Sequence, residues 1–271
     1  MDPSKLYKNG EEMCNFLKNR FPVIQGLSIS GSISFNLEDD YSDIDIDIWL
    51  GEEDYESWRT ECPLMELFKK EDIKKEQASN YSFVRDGFKY DFTLISIKGI
   101  MKEDWSIEQR FKRSKSYILQ DPSGIVLRIL QLKTAFSWDV FDSKDRDVKM
   151  SIDFYSFYIG AYLNYFTPIA IKRKQYEQAN FDIDFAINLF LEYLFIRNKS
   201  FYPHNKSKWV LGEKFLSVED RKLLSECKLI KEHSLKEIKR RRDIIKDLCS
   251  NQNLTLINFT HHKGSLNLPE E

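Results

Sequence analysis

The sequence predicts an α+β fold, a small mixed sheet with helices against it, followed by an all-α helical domain. Three observations carry this. Residues 44–50 (IDIDIWL) alternate with period two, the mark of a strand with one apolar face. Two β-rich runs, 81–85 and 88–97, are separated by Asp86-Gly87 alone, a hairpin signal because both turn positions require positive φ. Beyond about residue 104 the β signals fade and apolar residues recur at helical spacing.

In chain order, residues 10–20 form a short amphipathic helix with Met13, Phe16 and Leu17 on one side. Pro22 and Gly26 break it. Leu27-Ser28-Ile29-Ser30 alternates like a strand and runs into Gly31-Ser32. Gly51 ends the next strand, and 52–70 is helical with a restart near Pro63. The first hundred residues thus order as α-β-β-α-β-β. Helical spacing continues over 125–138, 145–166, 180–198 and 218–249, with Ser217 placed to cap the last region. The expected division is 1–103 and 104–271.

Composition bounds the function. The chain has 271 residues, 42% hydrophobic and 31% charged, with room for one large or two ordinary domains and a real core. A formal charge of −2 offers no general attraction to a phosphate backbone, which argues against a nucleic-acid partner. The four cysteines, at 14, 62, 227 and 249, are too scattered for a zinc site and too few for a secreted scaffold. The charged N-terminus has no apolar signal segment, and no run reaches the roughly 18 apolar residues of a membrane span. A cytoplasmic protein without membrane contact, monomeric or homodimeric, is expected.

The segment that carries chemistry is Gly31-Ser32, a ten-residue loop, then Asp43-Ile44-Asp45. Magnesium prefers hard oxygen ligands and holds one or two carboxylates together with substrate phosphates. Acids two residues apart on a strand project from one face, where they can share one ion and touch a second. Gly31 allows backbone to approach a phosphate, and Ser32 supplies a hydroxyl and opens a helix whose first N–H groups favour anions. Asp91, flanked by apolar residues on the second hairpin strand, is placed as a third acid; such a residue is costly unless bonded, metal-bound or catalytic. The competing reading is an exposed edge strand decorated with aspartates.

Ser30-Gly31-Ser32 and Tyr41-Ser42-Asp43-Ile44-Asp45-Ile46 resemble the motif of the nucleotidyltransferase superfamily that shares its palm with DNA polymerase beta, and Asp91 matches its further carboxylate. The resemblance covers about residues 10–100. It implies a mixed-sheet nucleotidyltransferase palm, and a nucleoside monophosphate moved from a nucleoside triphosphate, AMP from ATP, to a hydroxyl of a small molecule. Two magnesium ions would be held by Asp43, Asp45 and Asp91, with Gly31 and Ser32 on the nucleotide. Length and the helical second half resemble antibiotic nucleotidyltransferases acting on aminoglycosides or lincosamides. One departure stands out: many members follow Gly-Ser with Arg and Gly, whereas this loop continues Ile33-Ser34-Phe35. The alternative function is a regulatory or antitoxin-type protein of the same fold acting on a protein partner, suggested by the long charged helix near the C-terminus.

Other residues receive plainer assignments. Asp47 shares the acidic face but lies deeper, and pairing with a Lys or Arg suits it better than metal. Asp182-Ile183-Asp184 repeats the motif without a Gly-Ser loop and is assigned to a helix N-terminus. The aromatic ladder Phe154, Tyr158, Tyr162 and Tyr165 is expected in a core, and the basic run 236–242 on a solvated face.

Overall fold

The computed structural model describes residues 3–39, 41–137, 152–203 and 205–257, with 260, 261, 264 and 265. It has a mixed-sheet α+β unit followed by a helical unit, 1–135 and 136–271. The boundary expected at 103/104 therefore falls inside the first unit. The reason is a short strand the sequence pattern did not reveal, Tyr117–Gln120, which pairs with the first strand of the sheet.

The first unit begins with α1 (Pro3–Arg20), then β1 (Ile24–Ser30) and β2 (Ile44–Leu50). Two short helices follow, α2 (Glu52–Thr60) and α3 (Pro63–Leu67), restarting at Pro63 as the sequence indicates. The strands β3 (Lys74–Gln77), β4 (Asn80–Arg85) and β5 (Phe88–Ser96) come next, then α4 (Ile97–Lys102), α5 (Ile107–Arg113), β6 (Tyr117–Gln120) and α6 (Ile125–Thr134). The sheet order is β3-β4-β5-β2-β1-β6. Only β2 and β5 run parallel; the other pairings are antiparallel. The β4–β5 turn has Asp86 at φ 52° and Gly87 at φ 79°, the two positive values such a link requires.

Period two decides what each sheet face meets. Ile44, Ile46, Ile48 and Leu50 join Leu27, Ile29, Tyr90, Phe92 and Leu94 in a buried core with Leu6, Met13, Cys14 and Leu17 of α1. Phe16, placed on that stripe by the sequence pattern, is 41% exposed. The opposite face is divided along the strands. Trp49 and Ile95 pack with Ile100, Trp105, Val126, Ile129 and Leu130, so α4, the segment after it and α6 cover one end. The other end keeps its polar residues, and Asp45 and Asp91 stand there. Because β2 is bonded on both sides, the exposed-edge reading of its aspartates does not hold.

The helical unit contains α7 (Ile152–Ala161), a π-helical turn (Tyr162–Phe166), α8 (Thr167–Lys172), α9 (Tyr176–Arg197), α10 (Asn205–Gly212), α11 (Val218–Lys228) and α12 (Leu235–Asn251). The buried helix α9 packs against α7, α8, α10 and α12. Ser217 caps α11 by accepting from the Asp220 N–H at 3.0 Å. The region 218–249 is two helices rather than one, separated by 229–234. Its basic run is not wholly solvated: Arg241 is fully buried, donating to Cys227 O, to Asn180 Oδ1 and to Asp184. The ladder expected in the core reaches it only in part. Phe154, Tyr158, Tyr162 and Tyr165 are each only half-buried, beside the fully buried Tyr155 and Leu163. All four cysteines are buried free thiols. Among the described residues, no helix is long and apolar enough to cross a membrane.

Candidate active site

Strand register builds the site. Ser30 of β1 faces Asp45 of β2, Asp45 faces Asp91 of β5, and Asp91 faces Ser82 of β4. One polar row therefore crosses four strands. Directly opposed residues on neighbouring strands share a face, so the two carboxylates are side by side. Asp43 lies just before β2 and extends the same face.

Two lysines neutralise these acids. Lys89, two residues before Asp91 and hence on its face, places Nζ 2.9 Å from Asp43 Oδ2 and 2.9 Å from Asp91 Oδ2. Lys112 Nζ donates to Asp45 Oδ1 at 2.9 Å. The structure thus joins Asp43 to Asp91 through one ammonium and gives Asp45 another. Among the described residues, no three His, Cys, Asp or Glu side chains are already grouped as a metal-ligand set. Two buried atoms on this row, Ser30 Oγ and Asp91 Oδ1, have no hydrogen-bond partner.

Gly31 is pressed against Asp45. It adopts φ +71°, and a Cβ added there would fall 2.0 Å from Asp45 Oδ2. Only glycine provides both that dihedral and that approach. The loop does not open an α-helix as expected: Ser32 leads into a single 3₁₀ turn, Ile33–Phe35, without a side-chain cap. Its anchor is aromatic, Phe35 stacking on Phe111 of α5 with centroids 4.3 Å apart. The Gly31 N–H also donates to Lys112 O at 3.5 Å. The loop is therefore tied to the helix that supplies Lys112.

Asp47 is the deep member of the series. It is 1% exposed and accepts from Arg113 Nε and Nη2 at 3.2 and 3.0 Å, the pairing its sequence position suggested. The Arg113 guanidinium also lies 5.3 Å from the Trp105 ring centre. This forked contact fixes the end of α5, and so fixes the lysine one residue earlier.

Electrostatics follow from burial. Burial pushes the Asp45 carboxyl above its usual range; Lys112 opposes the shift, and Asp47 and Asp43 add to it. Burial likewise raises Asp91 to about 6, against the pull of Lys89 and with a further push from Asp43. Burial draws the Lys89 ammonium down, but hydrogen bonds to Asp43 and Asp91 carry it above its ordinary value.

The structure brings Gly31, Asp43, Asp45 and Asp91, all singled out from the sequence, together with Ser30 of the same motif, and adds Lys89, Lys112 and Arg113, which the sequence reading did not name. Lys89 was readable by period two from Asp91. Lys112 and Arg113 required recognition of α5, whose signal is a capping box: Ser106 and Gln109 bond reciprocally at the helix start.

No protein-family model and no curated relative matches the chain. Among solved structures, a nucleotidyltransferase-like protein from Exiguobacterium sibiricum 255-15 is similar at 12% identity. The alignment covers 92% of this chain and 76% of that one, with a TM-score of 0.44.

Proposed function

We propose that the chain is a nucleotidyltransferase that moves a nucleoside monophosphate, AMP from ATP, to a hydroxyl of a small molecule by a two-magnesium mechanism. The observation that supports this most is the approach of Gly31 to Asp45, within 2.0 Å of an added Cβ. A loop that admits phosphate is useful to such chemistry only where it meets the carboxylate that holds the phosphate's metal.

The donor set fits magnesium. Asp43, Asp45 and Asp91 present hard carboxylate oxygens, and Asp91 Oδ1 is buried with no other partner. A cation already lies 2.9 Å from both Asp43 and Asp91, so the row favours positive charge there. Asp43, Asp45 and Asp91 would hold the ions, which when bound stabilise charge on the α-phosphate and on departing pyrophosphate.

The chain's own residues supply the remainder. Gly31 keeps the nucleotide-facing backbone clear of side chain, and Ser32 follows with a hydroxyl. Lys112, bonded to Asp45 and tied to Gly31 through its carbonyl, is the cation available where the loop lacks an arginine. Arg113, locked on Asp47, holds Lys112 in place. Asp91 completes the metal site or, where it holds no ion, takes the acceptor's hydroxyl proton as general base. The hydroxyl oxygen then bonds to the α-phosphorus as the bond to pyrophosphate breaks.

The acceptor is a polyhydroxylated small molecule, with aminoglycosides and lincosamides the first to test. The full-length protein is incubated with magnesium, each nucleoside triphosphate and a panel of such acceptors, and pyrophosphate is measured. Acceptor-dependent release that disappears in Asp45→Asn supports the reading. Undiminished release in that variant overturns it.

A further inference from the structure

The carboxylate row holds one pairing to which the proposed reaction assigns no task. Strand β5 runs parallel to β2 with Ile44 opposite Tyr90 and Asp45 opposite Asp91. The same register, carried one residue back, sets Asp43 opposite Lys89. Lys89-Tyr90-Asp91 therefore faces Asp43-Ile44-Asp45, and period two puts Asp43, Asp45, Asp91 and Lys89 on a single face. Lys89 bridges two of these acids, its Nζ 2.9 Å from Asp43 Oδ2 and 2.9 Å from Asp91 Oδ2.

The cations around the row are held in different ways. Arg113 is enclosed, its side chain 8% exposed, and forks onto Asp47. Lys112 meets Asp45, and its backbone carbonyl accepts from the Gly31 N–H, which ties it to the loop. Lys89 has 40% of its side chain in solvent, and among the described residues its ammonium bonds to the two carboxylates alone. It is the cation of the row that can leave by turning its own flexible four-carbon stem, with no change of backbone.

The place it fills is one that a divalent ion bridging Asp43 and Asp91 needs. Magnesium sits about 2.0–2.1 Å from carboxylate oxygens, so an ion between the same two Oδ2 atoms would fall in the gap that Nζ fills. Ammonium and ion repel strongly at such a distance and do not share the gap. An arriving triphosphate changes the balance. Its negative charge favours the exchange and gives the displaced ammonium an anionic partner.

Resting on the nucleotidyltransferase reading, we propose that Lys89 is the resident counter-cation of the Asp43–Asp91 pair. It keeps a free divalent ion out and yields its place when the ion arrives with the triphosphate, whose phosphate oxygens then receive the ammonium. Metal and nucleotide bind cooperatively, and Lys89 sets the size of that coupling.

The test reads manganese binding, in place of magnesium, by the loss of the free-ion electron paramagnetic resonance signal. Full-length wild type, Lys89→Met, Lys89→Gln and Lys89→Arg are titrated at constant ionic strength with manganese alone. The titration is repeated with an ATP analogue carrying methylene between its α- and β-phosphorus atoms. Without nucleotide, Lys89→Met and Lys89→Gln bind manganese about tenfold more tightly than wild type or better, and Lys89→Arg stays within about threefold of it. The analogue tightens manganese binding in wild type more than in Lys89→Met, again by about tenfold. Manganese also raises the melting temperature of Lys89→Met more than that of wild type, a readout that serves even where the variant is less stable in metal-free buffer. Equal manganese affinity in wild type and both neutral variants overturns the proposal; if analogue-dependent manganese binding sensitive to Asp45→Asn persists, the nucleotidyltransferase reading still stands. Absence of manganese binding in every protein, with and without the analogue, overturns both.

Discussion

The chain carries Asp-Ile-Asp in two regions, as two overlapping copies at 43–47 and again at 182–184, and the two regions have opposite environments. On β2 the pleat sends alternate side chains to one face, so Asp45 joins Ser30, Asp91 and Ser82 in a row across four strands. On α9 the same spacing turns the two acids about 200° apart. Asp182 is buried and accepts from Gln178 at 2.9 Å, while Asp184 pairs with buried Arg241. Neither lies in the first turn of α9, which begins at Tyr176, so the helix-terminus assignment from sequence is corrected. A strand assembles acids from several segments into one site. A helix disperses them, and each becomes a separate structural contact.

The largest test of this contrast concerns function. Asp45→Asn should lower nucleotidyl transfer by about a thousandfold or more while the circular dichroism spectrum stays native. Asp182→Asn should leave transfer within about twofold. Equal losses at the two positions would erase the distinction. The next test concerns stability. Asp184→Ala leaves the Arg241 guanidinium enclosed without its charge partner, and urea unfolding should show a loss of about 3 kcal/mol. Half the Asp184 side chain is solvent-accessible, so solvent moderates that loss below what a fully enclosed pair would give.

How much of this could be read from the sequence follows the range of the interactions. Period-two alternation gave β2, and Asp86-Gly87 gave the hairpin, because both are local rules. With those strands in place, Asp43, Asp45 and Asp91 follow as co-facial. Lys112 and Arg113 act across more than 60 residues of separation, at 67 and 66 positions from Asp45 and Asp47, and no local pattern encodes that pairing. The strand β6 has only four residues and partly buried positions, too brief for periodicity to mark, which is why the second unit was expected to begin too early. In the helical unit, the polar run 236–242 hides Arg241, whose burial depends on acceptors contributed by α9 and α11.

A smaller effect separates close approach from dihedral strain. Gly31→Ala must satisfy φ +71° and also displace Asp45, whereas Gly87→Ala faces φ +79° with no atom within 4 Å of the new Cβ. Both should lose about 1–2 kcal/mol on urea unfolding from the left-handed backbone. Only Gly31→Ala should also lose transfer activity, by about a hundredfold. Equal activity in the two variants would show that the loop yields without moving the carboxylate.

The smallest expected effect tests whether the row is electrostatically strained in metal-free buffer. Asp91 sits at about 6 in the folded chain against an ordinary 3.8, raised by burial and by Asp43 despite Lys89. Between those values the folded state holds a proton that the unfolded chain has released. Its contribution to stability is therefore complete below about pH 4 and is lost as pH rises through about 6. Asp91→Asn cannot titrate, so the wild-type stability minus that of the variant should fall over this interval by about 1–2 kcal/mol, measured by urea unfolding at pH 4, 5, 6 and 7. A difference that rises with pH would mean that the Lys89 ammonium outweighs burial and keeps Asp91 ionised. Asp182 offers the control from the other copy: burial raises it too, against the hydrogen bond from Gln178, but no carboxylate among the described residues pushes it further. Its asparagine variant should flatten the profile less than Asp91→Asn does. That ordering distinguishes an acid raised by burial and a neighbouring carboxylate from one raised by burial alone.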